Sequence, residues 1–116
     1  MTLFNKSKIK ICGIKEIDIL DCCIKNKVEY FGLIFYKKSP RNILYKDAQK
    51  ILAYSKNKKI SSVGVFVNET IENLNGILDS LKLNCIQLHG DENNSYIQSI
   101  KNKNDRILII KNIPIN

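Results

Sequence analysis

The sequence predicts an α/β fold with a parallel sheet, and three observations carry that prediction. Short apolar runs alternate with amphipathic segments in the order β-α-β-α-β-α-β-α-β. The connections between them are short, and the apolar runs are hydrophobic on both sides, as in parallel strands covered by helices. Two architectures fit this pattern: a doubly wound open sheet, or part of a (β/α)8 barrel. Nine elements in 116 residues leave no room for eight βα units.

Apolar periodicity defines the elements of the first half of the chain. In the first helix, Ile17, Leu20 and Ile24 recur at helical spacing. Before the second helix, Ser39 precedes Pro40, which directs the chain away from helix and predicts a loop. The predicted strands of this half are 8–12 and 29–35, and the predicted helices are 16–27 and 46–55.

The second half repeats the same alternation. Thr70 is a side chain that can cap the helix after it, in which Leu74, Ile77 and Leu78 lie on one face. The predicted strands of this half are 61–67, 84–88 and 106–111, and the predicted helices are 71–81 and 94–102. No linker or low-complexity segment interrupts the chain, so we expect one domain or a piece of one.

The bulk composition argues against several classes of function. The net charge is +8, but the lysines are scattered and little aromatic sequence lies between them, so we expect a solvated surface and no nucleic-acid partner. No apolar run approaches the roughly 18 residues of a membrane span. The start, MTLFNKSKIKIC, lacks the apolar core of a signal peptide. We therefore expect a cytoplasmic protein with no membrane contact.

The cysteines do not indicate a metal centre. Cys12, Cys22, Cys23 and Cys85 form no C-x-x-C motif, and His89 is the single histidine. A structural zinc site is therefore not expected, and neither are disulfides in a reducing compartment. We expect most of these thiols to be buried as small hydrophobes. No metal site is predicted.

Polar residues follow the predicted strands, where parallel α/β folds bind their ligands. Cys12 and Gly13 follow the first strand, and Arg41 lies in the loop after the second. Gln87 and His89 lie at the end of the fourth strand. A thiol can act as a general base, an arginine can hold a carboxylate or phosphate, and a histidine can donate a hydrogen bond or titrate near neutrality. Each also has an ordinary interpretation: core packing for Cys12, a surface cation for Arg41 and a loop hydrogen bond for His89.

Four segments, KICGIK, GLIFYKKSPR, VGVFVNE and IQLHGDE, in this order and spacing, closely resemble the phosphoribosylanthranilate isomerases of tryptophan biosynthesis. They span residues 10–92, and the similarity continues to about Lys111. The resemblance implies a TIM barrel, of which residues 1–116 form the amino-terminal part with about five strands and four helices. It also implies an isomerase with no cofactor and a phosphorylated small-molecule substrate.

The resemblance further implies a reaction and a set of roles. In the family, N-(5′-phosphoribosyl)anthranilate rearranges to 1-(2-carboxyphenylamino)-1-deoxyribulose 5-phosphate. A general acid opens the ribose ring to a Schiff base, and a general base then removes the proton from C2′. The base corresponds to Cys12, and Arg41 corresponds to the residue that holds the anthranilate carboxylate. His89 and Gln87 correspond to positions in the substrate site, and Gly13 to the turn where the substrate approaches closely.

The resemblance also implies that about half of the barrel lies outside this sequence. The family's general acid, an aspartate after a later strand, and its glycine-rich phosphate loops have no counterpart before Asn116. We therefore expect open edges on the first and fifth strands and an apolar inner face exposed to water. The chain alone is expected to be marginally stable or self-associating, to have little isomerase activity, and to accept a complementary carboxyl-terminal half through its open edges.

Two other hypotheses stay open at this point. The first is a non-catalytic partial-barrel module that docks a complementary chain or binds an anionic ligand through Arg41 and the lysines. The second is an open flavodoxin-like sheet of unrelated function, although no glycine-rich phosphate loop supports it.

Overall fold

A computed structural model of the protein describes residues 2–5 and 8–111 and contains six strands and four helices. Every element predicted from residue 8 onwards is present, and its ends lie within two residues of the predicted ones. The order is β1 (Thr2–Asn5), β2 (Lys8–Cys12), α1 (Ile17–Lys25), β3 (Tyr30–Phe35), α2 (Tyr45–Ser55), β4 (Ser61–Phe66), α3 (Ile71–Ser80), β5 (Cys85–Leu88), α4 (Asn94–Lys103) and β6 (Leu108–Lys111).

The strands form one sheet in the order β1-β2-β3-β4-β5-β6. Strands β2 to β6 are parallel, whereas β1 pairs antiparallel with β2. The predicted open edge of the first parallel strand is therefore wrong, because β1 covers part of it. The sequence analysis missed β1 because its four residues, TLFN, are too few for alternation to separate a strand from a loop.

The register of the sheet aligns the carboxyl ends of the parallel strands. Phe35, Phe66, Leu88 and Lys111 are successive partners across β3, β4, β5 and β6. Strand β2 ends before this level of the sheet, because its last residue, Cys12, is the partner of Gly32 and not of Phe35. Because the strands are parallel, the segments that follow them all leave the sheet at one edge, which we call the carboxyl edge.

Two apolar clusters hold the helices on one face of the sheet. In the cluster around α1 and α2, Leu20 and Phe31 are fully buried. In the cluster around α3 and α4, the same holds for Leu74, Ile86 and Ile100. The helical spacing of the apolar residues explains this arrangement, since each helix presents one apolar stripe to the sheet. At the start of α3, Thr70 Oγ1 accepts a hydrogen bond from Asn73 N at 3.2 Å, which confirms the predicted cap.

The opposite face of the sheet, which we call the inner face, carries a third cluster made of strand side chains alone. Its buried members are Ile34, Val63, Val65 and Cys85, and each is at most 8% exposed. The prediction that the apolar inner face meets water is therefore wrong at these positions. Side chains at alternate positions of neighbouring strands lie close enough to bury one another on this face.

Lys10 spans the inner face. It is 1% exposed, and its Nζ donates a hydrogen bond to Oε1 of Gln87. Since β3 and β4 lie between β2 and β5 in the sheet, this contact crosses two intervening strands. Such a long reach lays the aliphatic stem of the lysine over the inner face, where it helps to exclude water.

We predict that Lys10→Ala lowers the free energy of unfolding by about 2–4 kcal/mol, because removing the buried stem leaves a cavity on the inner face. Lys10→Met is the matched control, since it keeps the stem and removes only the charge; it should retain most of the stability. Urea denaturation of the two variants and the parent chain measures the difference. Equal stability of all three proteins would contradict this role of Lys10.

Candidate functional site

Cys12 lies at the carboxyl edge with its thiol half-buried. Its register partner is Gly32, and a Cβ built on Gly32 would lie 3.1 Å from the Sγ of Cys12. The missing side chain of Gly32 therefore makes the space that the thiol occupies. Cys12 is partly buried and also packs against the inner-face cluster.

Gly13 turns the chain sharply after Cys12. Its φ of 81° lies in the left-handed region that glycine tolerates and other residues avoid. The N–H groups of Gly13 and Ile14 both donate to the carbonyl oxygen of Gly32, at 3.0 and 3.1 Å. A Cβ on Gly13 would lie only 2.7 Å from Cδ of Arg41, so the arginine stem passes directly over this glycine. The fold thus brings Arg41, in the loop after β3, against Gly13, which directly follows Cys12 at the end of β2.

The loop that carries Arg41 is anchored at both ends. The N–H of Arg41 donates to Oγ of Ser39 at 3.1 Å, and that of Asn42 donates to the Ser39 carbonyl at 3.1 Å. The N–H of Ile43 donates to the carbonyl of Ile34 at 2.9 Å, which ties the loop to β3. Arg41 itself is exposed. Because its backbone is held by these hydrogen bonds and the residue is exposed, Arg41 is suited to hold an anionic group that approaches from solvent.

Gln87 lies on β5 and His89 directly follows this strand, but the two residues have different surroundings. The backbone N–H of His89 donates to the carbonyl of Phe66 at 2.9 Å, and the residue is exposed at the carboxyl edge. Gln87 is half-buried, and its Oε1 accepts the hydrogen bond from Lys10 on the inner face. Their roles as substrate ligands stay predictions.

Glu92 connects the carboxyl ends of three strands. It is 7% exposed and accepts hydrogen bonds from the N–H of Asn68 at 2.7 Å and of Gly90 at 2.9 Å. It also pairs with Nζ of Lys111 at 3.1 Å, and that ammonium donates to the carbonyl of Gly90 as well. Oδ1 of Asn68 accepts from the N–H of Asp91 at 2.7 Å. One buried carboxylate thus organises the loops after β4 and β5 and the end of β6.

The surroundings of Glu92 keep it ionised. Burial by itself raises the pKa of this carboxyl. The hydrogen bonds from Asn68 and Gly90 and the ammonium of Lys111 outweigh that effect, so the pKa lies below its ordinary value. Nearby, the hydroxyl of Tyr96 donates to the carbonyl of Glu69 at 2.6 Å, and burial, followed by the charges of Glu92 and Glu69, raises the pKa of Tyr96 to about 12. Tyr96 therefore stays a neutral donor that ties α4 to the loop before α3.

The four thiols have unequal surroundings. Cys23 and Cys85 are buried, Cys12 is half-buried and Cys22 is exposed, so the expectation that most thiols are buried is wrong. Cys22 and Cys23 are neighbours on α1 and point in different directions, so only one of them faces the sheet. Burial raises the pKa of Cys85 to about 11, and burial followed by the neighbouring Cys22 raises the pKa of Cys23. Both buried thiols therefore stay protonated near neutral pH.

The described residues contain neither a cluster of metal-ligating side chains nor a helix that could span a membrane. Within residues 2–5 and 8–111, no group of three or more His, Cys, Asp or Glu residues is placed to hold a metal ion. In the same part of the chain, no helix has the length and apolar character needed to cross a membrane.

The sequence analysis missed three residues that shape this region: Lys10, Gly32 and Lys111. A glycine inside a strand is a signal of close backbone or side-chain approach, and that signal could have identified Gly32. Lys10 and Lys111 carry no comparable signal, because lysine in a short strand ordinarily faces solvent. Their contacts with Gln87 and Glu92 join residues that are far apart in the sequence.

Comparison with known proteins identifies the relatives of this chain. The family model of N-(5′-phosphoribosyl)anthranilate isomerase matches residues 9–113. The isomerase of Clostridium acetobutylicum is 43% identical over 94 residues, which are 81% of this chain and 45% of that protein. The chain thus spans about half the length of the curated relatives it matches.

Solved structures give the same result for the fold. The phosphoribosyl anthranilate isomerase of Thermotoga maritima superposes with a TM-score of 0.78 at 35% identity, over 90% of this chain and 49% of that chain. A second structure of such an isomerase, in complex with reduced 1-(o-carboxyphenylamino)-1-deoxyribulose 5-phosphate, superposes with a TM-score of 0.82 at 33% identity. That match covers 94% of this chain and 54% of the other. The five parallel strands β2 to β6 and the four helices therefore correspond to an incomplete TIM barrel.

We predict that Gly13→Ala destabilises the fold by about 1–3 kcal/mol, because alanine is strained at this backbone conformation and its Cβ collides with the Arg41 stem. Gly76→Ala is the matched control: Gly76 lies within α3, and a Cβ there meets nothing within 4 Å. The control should gain about 0.5–1 kcal/mol from its higher helix propensity. Chemical denaturation measures both changes. A neutral Gly13→Ala would show that the turn is not constrained as described.

We predict that Glu92→Gln costs about 1–3 kcal/mol at neutral pH, because it leaves buried donors and the Lys111 ammonium poorly matched. The folded-state pKa of Glu92 lies below its ordinary value of 4.5. The ionised carboxylate therefore stabilises the fold above the unfolded-state pKa, and this contribution is lost as the pH falls through the folded-state pKa. Denaturation curves from pH 7 down to pH 3 should be less pH-dependent for the variant. Asp91→Asn, at an exposed neighbour, is the control; an equal response of both variants would contradict the role of Glu92.

Proposed function

The chain belongs to the N-(5′-phosphoribosyl)anthranilate isomerase family, and we propose that residues 1–116 form the amino-terminal part of one (β/α)8 barrel that catalyses this isomerisation. The observation that carries the proposal is the packing of Arg41 over Gly13, directly beside Cys12. These three residues come from motifs that lie within the family match. The match with the complexed isomerase structure supports a phosphorylated sugar derivative as the substrate.

The proposed reaction is an Amadori rearrangement of N-(5′-phosphoribosyl)anthranilate. A general acid protonates the oxygen of the ribose ring, and the ring opens to a Schiff base. A general base then removes the proton from C2′ of the sugar. The resulting enolamine becomes the ketone of 1-(2-carboxyphenylamino)-1-deoxyribulose 5-phosphate. No cofactor takes part, since the Schiff-base nitrogen of the substrate itself accepts the electron pair.

In this proposal the base is the thiolate of Cys12. Its position at the end of β2 lets the thiol face a substrate at the carboxyl edge, while Gly32 gives the sulfur room. Arg41 holds the anthranilate carboxylate through its planar guanidinium group, and Gly13 allows the substrate to approach the backbone. His89 contributes a hydrogen bond at the same edge. Gln87 acts from the inner face, where its contact with Lys10 orients its side-chain amide.

The remaining catalytic groups are proposed to come from the other part of the barrel. Because the chain spans about half the length of its curated relatives, the general acid and the phosphate contacts belong to later strands in this proposal. The chain alone should then have little isomerase activity, since loss of acid catalysis costs about 10²–10⁴-fold in rate. The proposed partner is the complementary carboxyl-terminal half, and the proposed location is the cytoplasm.

The test is a reconstitution assay. The chain is co-expressed with the part of the Clostridium acetobutylicum isomerase that follows the matched segment, and turnover of N-(5′-phosphoribosyl)anthranilate is followed by the loss of its fluorescence. We expect turnover by the complex and none by either part alone. Cys12→Ser should reduce kcat by at least about 10²-fold, because the hydroxyl is a much poorer base than a thiolate.

Cys22→Ser is the matched control, since Cys22 is exposed on α1 and lies outside the proposed site. It should leave turnover unchanged. Complexes that form but never turn over the substrate would favour the non-catalytic module instead. Full activity of the Cys12→Ser complex would refute Cys12 as the base.

A further inference from the structure

Strand β1 lies where a closed parallel barrel needs a parallel neighbour. In such a barrel every strand is paired on both edges, and the first parallel strand closes the ring by pairing with the last. Here one edge of β2 pairs in parallel with β3, and the other edge pairs antiparallel with β1. The antiparallel strand therefore occupies the edge through which the barrel would close.

The described register of β1 covers only the amino-terminal part of β2. Thr2, Leu3 and Asn5 are aligned with Lys10, Ile9 and Lys8, with an irregularity between Leu3 and Asn5. On its other side, β2 pairs with β3 from Lys10 to Cys12. The described pairs of β1 thus stop short of the carboxyl end of β2. An incoming parallel strand can begin to pair at that end before β1 leaves.

The family match gives a second, independent observation. It begins at residue 9, so β1 lies before the segment that this chain shares with the family model. The match covers β3 to β6 and all of β2 except Lys8. The edge-covering strand is therefore not among the strands that the family model matches.

We propose that β1 is a displaceable edge strand: it protects the closing edge of β2 in the unassembled chain, and a parallel strand of the complementary barrel half replaces it on assembly. Unpaired strand edges promote association between copies of a chain, and covering such an edge suppresses it. A strand of four residues with an irregular register provides cover that a longer, regular parallel strand can displace. The displacement step rests on the proposed function, whereas the protective step concerns the chain alone.

The first experiment uses the chain alone. Hydrogen exchange should show slowed exchange at the amides of β1 and of the facing part of β2, by at least about tenfold relative to unstructured peptide. Deletion of residues 2–6 should expose the edge and raise the self-association constant at least about tenfold in sedimentation equilibrium. Leu3→Pro, with Leu3→Ala as its control, provides the same test without shortening the chain, because proline disrupts strand pairing. Unprotected β1 amides, or unchanged self-association in both the deletion and the proline variant, would overturn the proposal.

The second experiment adds the complementary half used in the reconstitution assay. On complex formation, the β1 amides should exchange at least about tenfold faster, while those of β2 stay protected, and the deletion variant should bind the half at least about tenfold more tightly. Complexes in which β1 keeps its protection would overturn displacement. If no complex forms, both the proposed barrel partner and the displacement of β1 are refuted. The first experiment still decides whether β1 protects the edge of β2.

Discussion

Parallel pairing from β2 to β6 is the constraint on which the candidate site depends. Backbone hydrogen bonds hold each strand parallel to its neighbours in a fixed register, so the segments after the strands emerge at one edge. Cys12, Arg41 and His89 are far apart in the sequence, yet each follows one of these strands. Their common location is a consequence of strand direction. The side chains then need only local adjustments to form a site.

Close packing at two glycines and one buried carboxylate position the side chains and loops at this edge. The absent side chains of Gly13 and Gly32 let the Arg41 stem and the Cys12 thiol approach the backbone directly. At the other side of the carboxyl edge, Glu92 holds the loops after β4 and β5 and the end of β6 through hydrogen bonds and the Lys111 ion pair. Buried polar groups that are fully paired restrict the loops that carry them. These contacts fix the positions of the loops at the carboxyl edge.

Hydrophobic periodicity predicts β2 to β6 and all four helices, because the sequence of each element carries an apolar run or an apolar stripe at the spacing of its secondary structure. It does not predict β1, whose four residues give no usable period. Motif position predicts that Cys12, Gly13 and Arg41 share an edge. It does not predict that Gly32 gives the thiol its space, because that contact depends on sheet register. Lys10 was missed for a related reason: a parallel sheet of this kind buries both faces, and a long side chain can cross the inner one.

The inner face shows how the described strands bury part of their own apolar surface. Interdigitated strand side chains and the Lys10 stem bury Val63 and Cys85 without contributions from other strands. One edge of the sheet is partly covered by β1. The other edge ends at β6, where Leu108 is 56% exposed. In the described sheet, β6 is therefore the side from which the barrel would continue.

If this chain is one part of a larger barrel, native mass spectrometry of the protein isolated from its own cells should detect a species well above 13.3 kDa. That species should contain this sequence together with the later strands, either in one polypeptide or in a complex of two different chains. Detection of a 13.3 kDa protein that occurs only as a monomer or as copies of itself would show that the chain is not part of a larger barrel.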